Sequence, residues 1–256
     1  AGLTKNLKNS IQDDWKLGKI KIIIATIAFG MGIDKDDVRF VIHYNMPFSI
    51  ENYYQEIGRA GRDGKYSECT MYYSYQDKIC AEKLMNKTNS SIKSNLYTKH
   101  QVDKLNSILH YAENISDCRH CQISNYLGEN KTYEGNICNN KCDNCINRSS
   151  NVSVDVTDIA IEILNCIMKI DRPTQSVIEK LFKSNKIALN KFIHKYGSLQ
   201  QLMYLYKRVF VKLTVDKYIK ETYVKTQSGY WRENYQLYSS SKNILLKKQN
   251  IHILIR

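Results

Sequence analysis

The sequence predicts a three-part fold: an α/β segment over residues 1–92, a helical segment around a cysteine cluster over residues 93–150, and an α+β module over residues 151–256. Three observations lead there. Short apolar runs flank a helical stretch in the first part, closely spaced cysteines interrupt a polar loop in the second, and the hydrophobic period changes from helical to alternating near residue 216 in the third.

Residues 20–26, I-K-I-I-I-A-T, form a nearly continuous apolar run, as expected of a strand buried on both faces of a parallel sheet. A Gly-containing loop follows, A-F-G-M-G-I-D-K over residues 28–35, in the position where nucleotide sites of open α/β sheets sit. Residues 38–43 supply a second strand and residues 69–75 a third. Between them, residues 49–55 contain neither Pro nor Gly and read as a helix whose far end carries Gln55, Arg59 and Arg62. Residues three and four apart share a helix face, so both guanidiniums can reach one ligand, with Gly58 and Gly61 keeping side-chain bulk away from it. A planar, permanently charged fork suits the oxygens of a transferring phosphoryl group. The arginines alone read equally well as a solvated basic helix end before a Gly64 stop.

Helical stretches at residues 77–88 and 98–115 are separated by the polar run N-S-S-I-K-S-N. In the second, Val102, Leu105, Ile108 and Leu109 fall on one face, a core stripe. Of eight cysteines, Cys118 and the set Cys138-x3-Cys142-x2-Cys145 lie among Asn, Lys and Asp, a setting that favours tetrahedral Zn²⁺ over disulfides. Nothing marks the chain as secreted, and Cys69 lies on a predicted strand as a core thiol. Cys118-x2-Cys121 makes a knuckle of its own, with His120 inside it, so by spacing five cysteines compete for four places. The run N-R-S-S-N-V-S after Cys145 marks a boundary.

Beyond it, residues 155–170 place Ile159, Ile163, Ile167 and Ile170 at helical spacing, and Arg172-Pro173-Thr174 ends that pattern and starts another helix. Residues 174–184 and 199–213 are helical, and residues 216–224 and 230–238 form a β-hairpin through Thr226-Gln227-Ser228-Gly229. Near its tip, Lys225, Tyr230, Trp231 and Arg232 combine phosphate-binding cations with rings able to stack on bases, worth about 1 to 3 kcal/mol per base. Packing of Trp231 against its own sheet is the other reading. Residues 1–150 carry 20 basic and 17 acidic side chains, whereas residues 151–256 carry 18 and 8, so most of the net +13 lies in the last part. That asymmetry points to a polyanion, nucleic acid first, unless the lysines and the 19 tyrosines reflect A+T-rich coding. The 256 residues, 43% hydrophobic with mean hydropathy −0.47, suit two or three small soluble domains, and no stretch approaches membrane-span length.

A-T-I-A-F-G-M-G-I-D-K, D-V-R-F-V-I-H-Y-N-M-P and Y-Y-Q-E-I-G-R-A-G-R-D-G, in that order, resemble motifs V and VI of RecQ-family DNA helicases. D-C-R-H-C-Q-I-S-N-Y-L-G-E-N resembles that family's zinc-subdomain helix, and H-K-Y-G-S-L-Q-Q-L with D-K-Y-I-K-E-T-Y its C-terminal winged-helix domain. The resemblance spans nearly the whole chain. It implies the end of a second RecA-like α/β lobe, a helical zinc subdomain and an α+β winged helix. It implies further that Gln55, Arg59 and Arg62 face ATP phosphates across a cleft between two lobes, with Arg62 as arginine finger. Gly32 and Asp34 would lie by the nucleotide and Thr26 near the DNA backbone. Among the cysteines it selects Cys118, Cys138, Cys142 and Cys145 for zinc and makes Cys121 a departure from a usual apolar position. The wing would act as a strand-separating pin. The implied whole is a nuclear, ATP-dependent 3′-to-5′ helicase for single-stranded, forked or duplex DNA, serving replication, recombination and repair, with structural Zn²⁺ and with ATP and Mg²⁺ held mainly by a first lobe. The chain opens Ala-Gly-Leu and contains neither a G-x-x-x-x-G-K-[ST] loop nor a D-E-x-H box, so it reads as a fragment entered midway through the second lobe, expected to hydrolyse negligible ATP alone. A non-catalytic, zinc-stabilised DNA-binding module is the alternative. A sequence-specific winged-helix regulator is weaker, because motifs V and VI would then have no job.

Overall fold

The computed structural model describes residues 2–26, 35–88, 95–129, 138–226 and 231–255, which divide into two units, Ala1–Asp77 and Lys78–Arg256.

In the first unit, helix α1 (Lys5–Lys16) buries Trp15, and Lys35 Nζ lies 5.5 Å over that indole ring. Strands β1 (Phe40–His43) and β2 (Glu68–Met71) pair in parallel, Phe40 opposite Glu68 and His43 opposite Met71. Helix α2 (Ile50–Ile57) provides the crossover a parallel pair requires. It starts where Ser49 is extended and its Oγ accepts the Asn52 N–H at 3.1 Å, and it buries Ile50 and Tyr53. The expected strands at 38–43 and 69–75 therefore exist in shorter form. The expected strand at 20–26 does not: the segment is irregular, with Ile22 76% and Ile24 95% exposed. An apolar run becomes a doubly covered strand only where a ladder partner and two covering layers exist, and the described residues supply neither to this segment.

The second unit is entered along α3 (Tyr75–Thr88) and continues with α4 (Asn95–Glu113), α5 (Arg119–Tyr126) and α6 (Asp143–Ile146). Leu105, Ile108 and Leu109 of α4 are fully buried, as their spacing predicts, and Val102 is half-buried. Then come β3 (Val152–Asp155), α7 (Thr157–Met168), α8 (Gln175–Ser184), α9 (Lys186–Tyr196), α10 (Leu199–Val215), β4 (Ile219–Lys225), β5 (Trp231–Leu237), α11 (Ser241–Leu245) and β6 (His252–Ile255). These elements share one core in which Ile163, Phe182, Tyr206, Phe210 and Tyr235 are central. Its rings meet in offset and edge contacts, Phe182 with Tyr206 at 4.7 Å and Phe210 with Tyr235 at 5.1 Å. The expected hairpin forms, Ile219 opposite Leu237 through Lys225 opposite Trp231. Helix α7 stops at Met168, leaving Ile170 outside the stripe expected to include it. Strands β3 and β6 pair antiparallel, Val152 opposite Ile255 and Asp155 opposite His252. Among the described residues no helix is long and apolar enough to cross a membrane.

One polar cluster sits inside this unit. Lys78 Nζ lies 2.9 Å from Glu82 Oε1 and also meets Glu221 Oε2, with side chains only 2%, 2% and 6% exposed, and Tyr235 Oη donates to Glu221 Oε1 at 2.9 Å. Taking away one partner of such a cluster strands charge in a dry site, which costs about 3 to 5 kcal/mol. Lys78→Met is therefore expected to lower the unfolding free energy measured by urea titration by that amount; a loss below about 1 kcal/mol would mean that water reaches the two carboxylates.

Candidate functional site

Three groups of expected site residues occupy three places. The first is the turn segment after α2. The helix ends at Ile57 and Gly58 caps it, so Arg59 and Arg62 stand in successive turns and not on a common helix face. This corrects the expected helix reaching Arg62: the helix already stops at Gly58, and Gly61, whose φ of +64° belongs to the left-handed region, keeps it from resuming before Arg62. A Cβ at Gly61 would come within 2.6 Å of Ser67 Oγ and 3.0 Å of Lys65 O, so this glycine serves the protein's own packing, not only a ligand's approach.

Backbone bonds fix this segment beside β1: Gly61 N–H donates to Val38 O at 3.0 Å and Asp63 N–H to Asp36 O at 3.3 Å. Arg39 then clamps it. Its Nη2 lies 2.6 Å from Asp63 Oδ1, its Nη1 donates to Tyr66 O at 2.8 Å and its Nε to Asp37 O at 3.1 Å. The Arg39 hydrogen bond holds the Asp63 carboxyl below its ordinary range. Within this frame Gln55 and Arg62 are exposed and Arg59 is half-buried, and Arg62 Nε reaches back to Gly58 O at 3.4 Å. Behind them His43 Nε2 and Glu56 Oε2 pair at 2.6 Å, with Tyr53 5.1 Å from the imidazole. Arg39 was not legible as a site residue, because its partner lies 24 positions away and no local spacing marks it. Gly32 and Asp34 lie outside the described residues, and Thr26 is exposed on irregular chain.

The second group is the cysteine cluster. The sulfurs of Cys118, Cys138, Cys142 and Cys145 all lie within 4.8 Å of one another, with three of these residues buried and Cys142 half-buried. A tetrahedral Zn²⁺ with Zn–S near 2.3 Å sets S···S separations of roughly 3.8 Å, so the four fit the ion with only small closure. Cys121 packs against the cluster without joining the four, and His120 is exposed. The loop closes because Asn139 and Asn140 take φ of +50° and +59°, a conformation Asn tolerates better than most residues. N–H groups then point at sulfur: Arg119 N to Cys142 Sγ at 3.5 Å, Cys142 N to Cys138 Sγ at 3.4 Å and Cys145 N to Cys142 Sγ at 3.4 Å. Such donors stabilise thiolate ligands. Burial resists ionisation of Cys118, but hydrogen bonds from the Cys121 and His120 backbone and from the Cys138 and Cys145 thiols together hold that thiol below its ordinary value, whereas burial and its three neighbours push Cys145 up.

Outer supports complete the site. Arg119 makes a forked pair with Asp143, at 2.9 and 3.1 Å, and lies over the Tyr111 ring at 5.0 Å. Fully buried Asn144 donates to Asn114 O at 2.8 Å and Asp117 O at 2.7 Å. These side chains tie the Cys118 and Cys142 segments together, and nothing in their spacing announces it.

The third group is the hairpin. Lys225 and Trp231 are paired across it by backbone register, their side chains lie outside the described residues as does Tyr230 altogether, and Arg232 is exposed.

Residues 1–64 match the helicase conserved C-terminal domain, and residues 75–146 match the RecQ zinc-binding domain. The chain is 39% identical over 189 residues to an ATP-dependent DNA helicase of Schizosaccharomyces pombe, hus2/rqh1, a stretch covering 73% of this chain and 14% of that protein. It is 32% identical over 264 residues to the ATP-dependent helicase SGS1 of Saccharomyces cerevisiae, covering 98% of this chain and 18% of that one. To the RecQ-like DNA helicase blm-1 of Caenorhabditis elegans it is 41% identical over 190 residues, 72% of this chain and 19% of the relative. The chain thus spans less than a fifth of the length of each of these relatives.

Proposed function

Because this chain belongs to the RecQ family of helicases, we propose that it supplies the arginine-bearing lobe segment, the zinc-bound connector and the DNA-splitting wing of an ATP-dependent 3′-to-5′ DNA helicase. The observation that carries this is the clamped turn segment. Arg39 and two backbone bonds fix a loop whose Arg62 remains exposed beside the exposed Gln55 of α2, which is the arrangement a phosphate-facing arginine needs in order to act on a ligand held by another lobe. ATP and Mg²⁺ would supply the transferable phosphoryl group and its charge neutralisation; the residues of this chain would orient and stabilise it, Gln55 and Arg59 by contact and Arg62 as finger. Gly32 and Asp34 would border the nucleotide and Thr26 the DNA backbone.

The proposed domains are residues 1–92 as the end of a second RecA-like lobe, residues 93–150 as the zinc subdomain and residues 151–256 as a winged helix. The order of α7, α8 and α10 before β4 and β5, all on one core, supports the last, as does an SGS1 match covering 98% of the chain. Four converging sulfurs support structural zinc held by Cys118, Cys138, Cys142 and Cys145. The DNA would be single-stranded, forked or duplex, unwound in the nucleus during replication, recombination and repair.

The test is unwinding of a forked DNA by the full-length protein, with and without ATP. ATP-dependent strand separation is expected, and DNA binding without it would leave the zinc-stabilised binding module. Trp231→Ala or Tyr230→Ala is expected to reduce unwinding several-fold, in keeping with about 1 to 3 kcal/mol per stacked base, while single-strand-stimulated ATP hydrolysis persists. Equal loss of both activities, or of neither, would remove the pin role.

A further inference from the structure

Beside the hairpin, Asp171, Arg172, Val224, Thr226, Arg232 and Asn234 line an open cleft of about 280 Å³. The strand members share one face, because Val224 stands opposite Arg232 and Arg232 and Asn234 are two apart. The turn before α8 supplies the opposite wall. Arg172 there takes φ of +50°, which an L side chain adopts only when its surroundings insist. They do: Tyr235 N–H donates to Pro173 O at 3.0 Å, and the buried Asn234 side-chain amide faces Arg172 O and Glu233 O, where its Nδ2, once turned toward them, lies at 2.7 and 3.2 Å. The backbone of Arg172 is therefore tied to β5, and Arg172 and Arg232 line the same cleft. The one carboxylate lining the cleft, Asp171, lies 3.8 Å from Arg172 Nε and is almost fully exposed, a surface pair too weak to neutralise two guanidiniums.

We propose that this cleft seats a phosphate of a nucleic-acid backbone, gripped by Arg172 from the turn and Arg232 from the strand. The inference rests on the reading of residues 151–256 as a DNA-binding module. Two planar forks on fixed backbone match phosphate oxygens, and the shallow polar lining offers no base a pocket, so the contact positions the duplex without reading its sequence. The strain at Arg172 is then the cost of bringing a second fork to the hairpin.

The test measures binding of a fluorescent forked DNA by the full, zinc-loaded chain across a salt series. Arg172→Gln and Arg232→Gln are each expected to weaken binding about fivefold near 0.15 M salt, equally for different sequences, and to reduce the salt slope by about one. Arg172→Gly separates binding from folding, since glycine relieves the left-handed backbone: melting temperature should rise while affinity falls. Unchanged affinity and slope in these variants, with wild-type binding intact, would overturn the seat alone; absence of DNA binding by the wild-type chain would overturn the module reading beneath it.

Discussion

Arg62→Ala in the full-length protein is expected to lower DNA-stimulated ATP hydrolysis by about 10³- to 10⁵-fold, the range that an arginine finger supplies in phosphoryl transfer. The magnitude follows from charge placed where it develops in the transition state, in a site closed to water, by a group that does not have to reorganise. The segment carrying Arg62 is fixed in place, by Arg39 on Asp63 and by backbone bonds from Gly61 and Asp63. Arg62 itself is exposed, so the substitution removes little packing, and the melting temperature and single-stranded DNA affinity should stay close to wild type. Arg62→Lys keeps the charge and loses the fork, and should also fall well below wild type. Robust wild-type hydrolysis that survives Arg62→Ala within about tenfold would take the finger role away from this residue. No hydrolysis by either protein, with DNA binding intact, would leave a binding module.

Cys142→Ser in the full chain is expected to abolish stoichiometric zinc, whereas Cys121→Ser retains it. The contrast is geometric: Cys142 Sγ lies within reach of the other three sulfurs and accepts the N–H groups of Arg119 and Cys145, while the Cys121 sulfur is not among the four that converge. Structural zinc contributes of the order of 10 to 16 kcal/mol of apparent binding free energy in small zinc domains, so loss of a ligand should unfold the α5–α6 region and be visible in metal analysis and in the helical circular dichroism melt. Acid should act in the same direction. Ligand thiolates must lose their protons to bind, so zinc is retained at neutral pH and released as pH falls. Metal analysis with the two serine variants reversed would overturn the assignment.

What the sequence disclosed depended on distance along the chain. The helices expected near residues 49–55, 174–184 and 199–213 form, each capped by a hydroxyl, and the hairpin forms where β-rich runs flank a polar turn, because each signal is local. The Cys138, Cys142 and Cys145 spacing is equally local, but the choice of Cys118 over Cys121 came from resemblance, and the converging sulfurs agree with it. Long-range pairings were illegible. Arg39 with Asp63, Lys78 with Glu221 and β3 with β6 join positions that no periodicity connects. Helix α9 escaped notice for another reason: Phe192 is its one fully buried residue, too little to make a stripe. The run at residues 20–26 erred in the opposite sense, since apolar composition states a need for covering layers and cannot show that the chain provides them.

The pairing of β3 with β6 brings residues 152–155 and 252–255 side by side, and Thr157 Oγ1 accepts the Ile251 N–H at 2.8 Å just inside them. The seam closes residues 152–255 into a loop of chain, while the buried pair of Lys78 with Glu221 ties the hairpin inside that loop to α3, so the stretch is anchored to the helices before it as well as to itself. Among the described residues β3 and β6 are each other's only ladder partner, so loss of either strand bares the edge of the other.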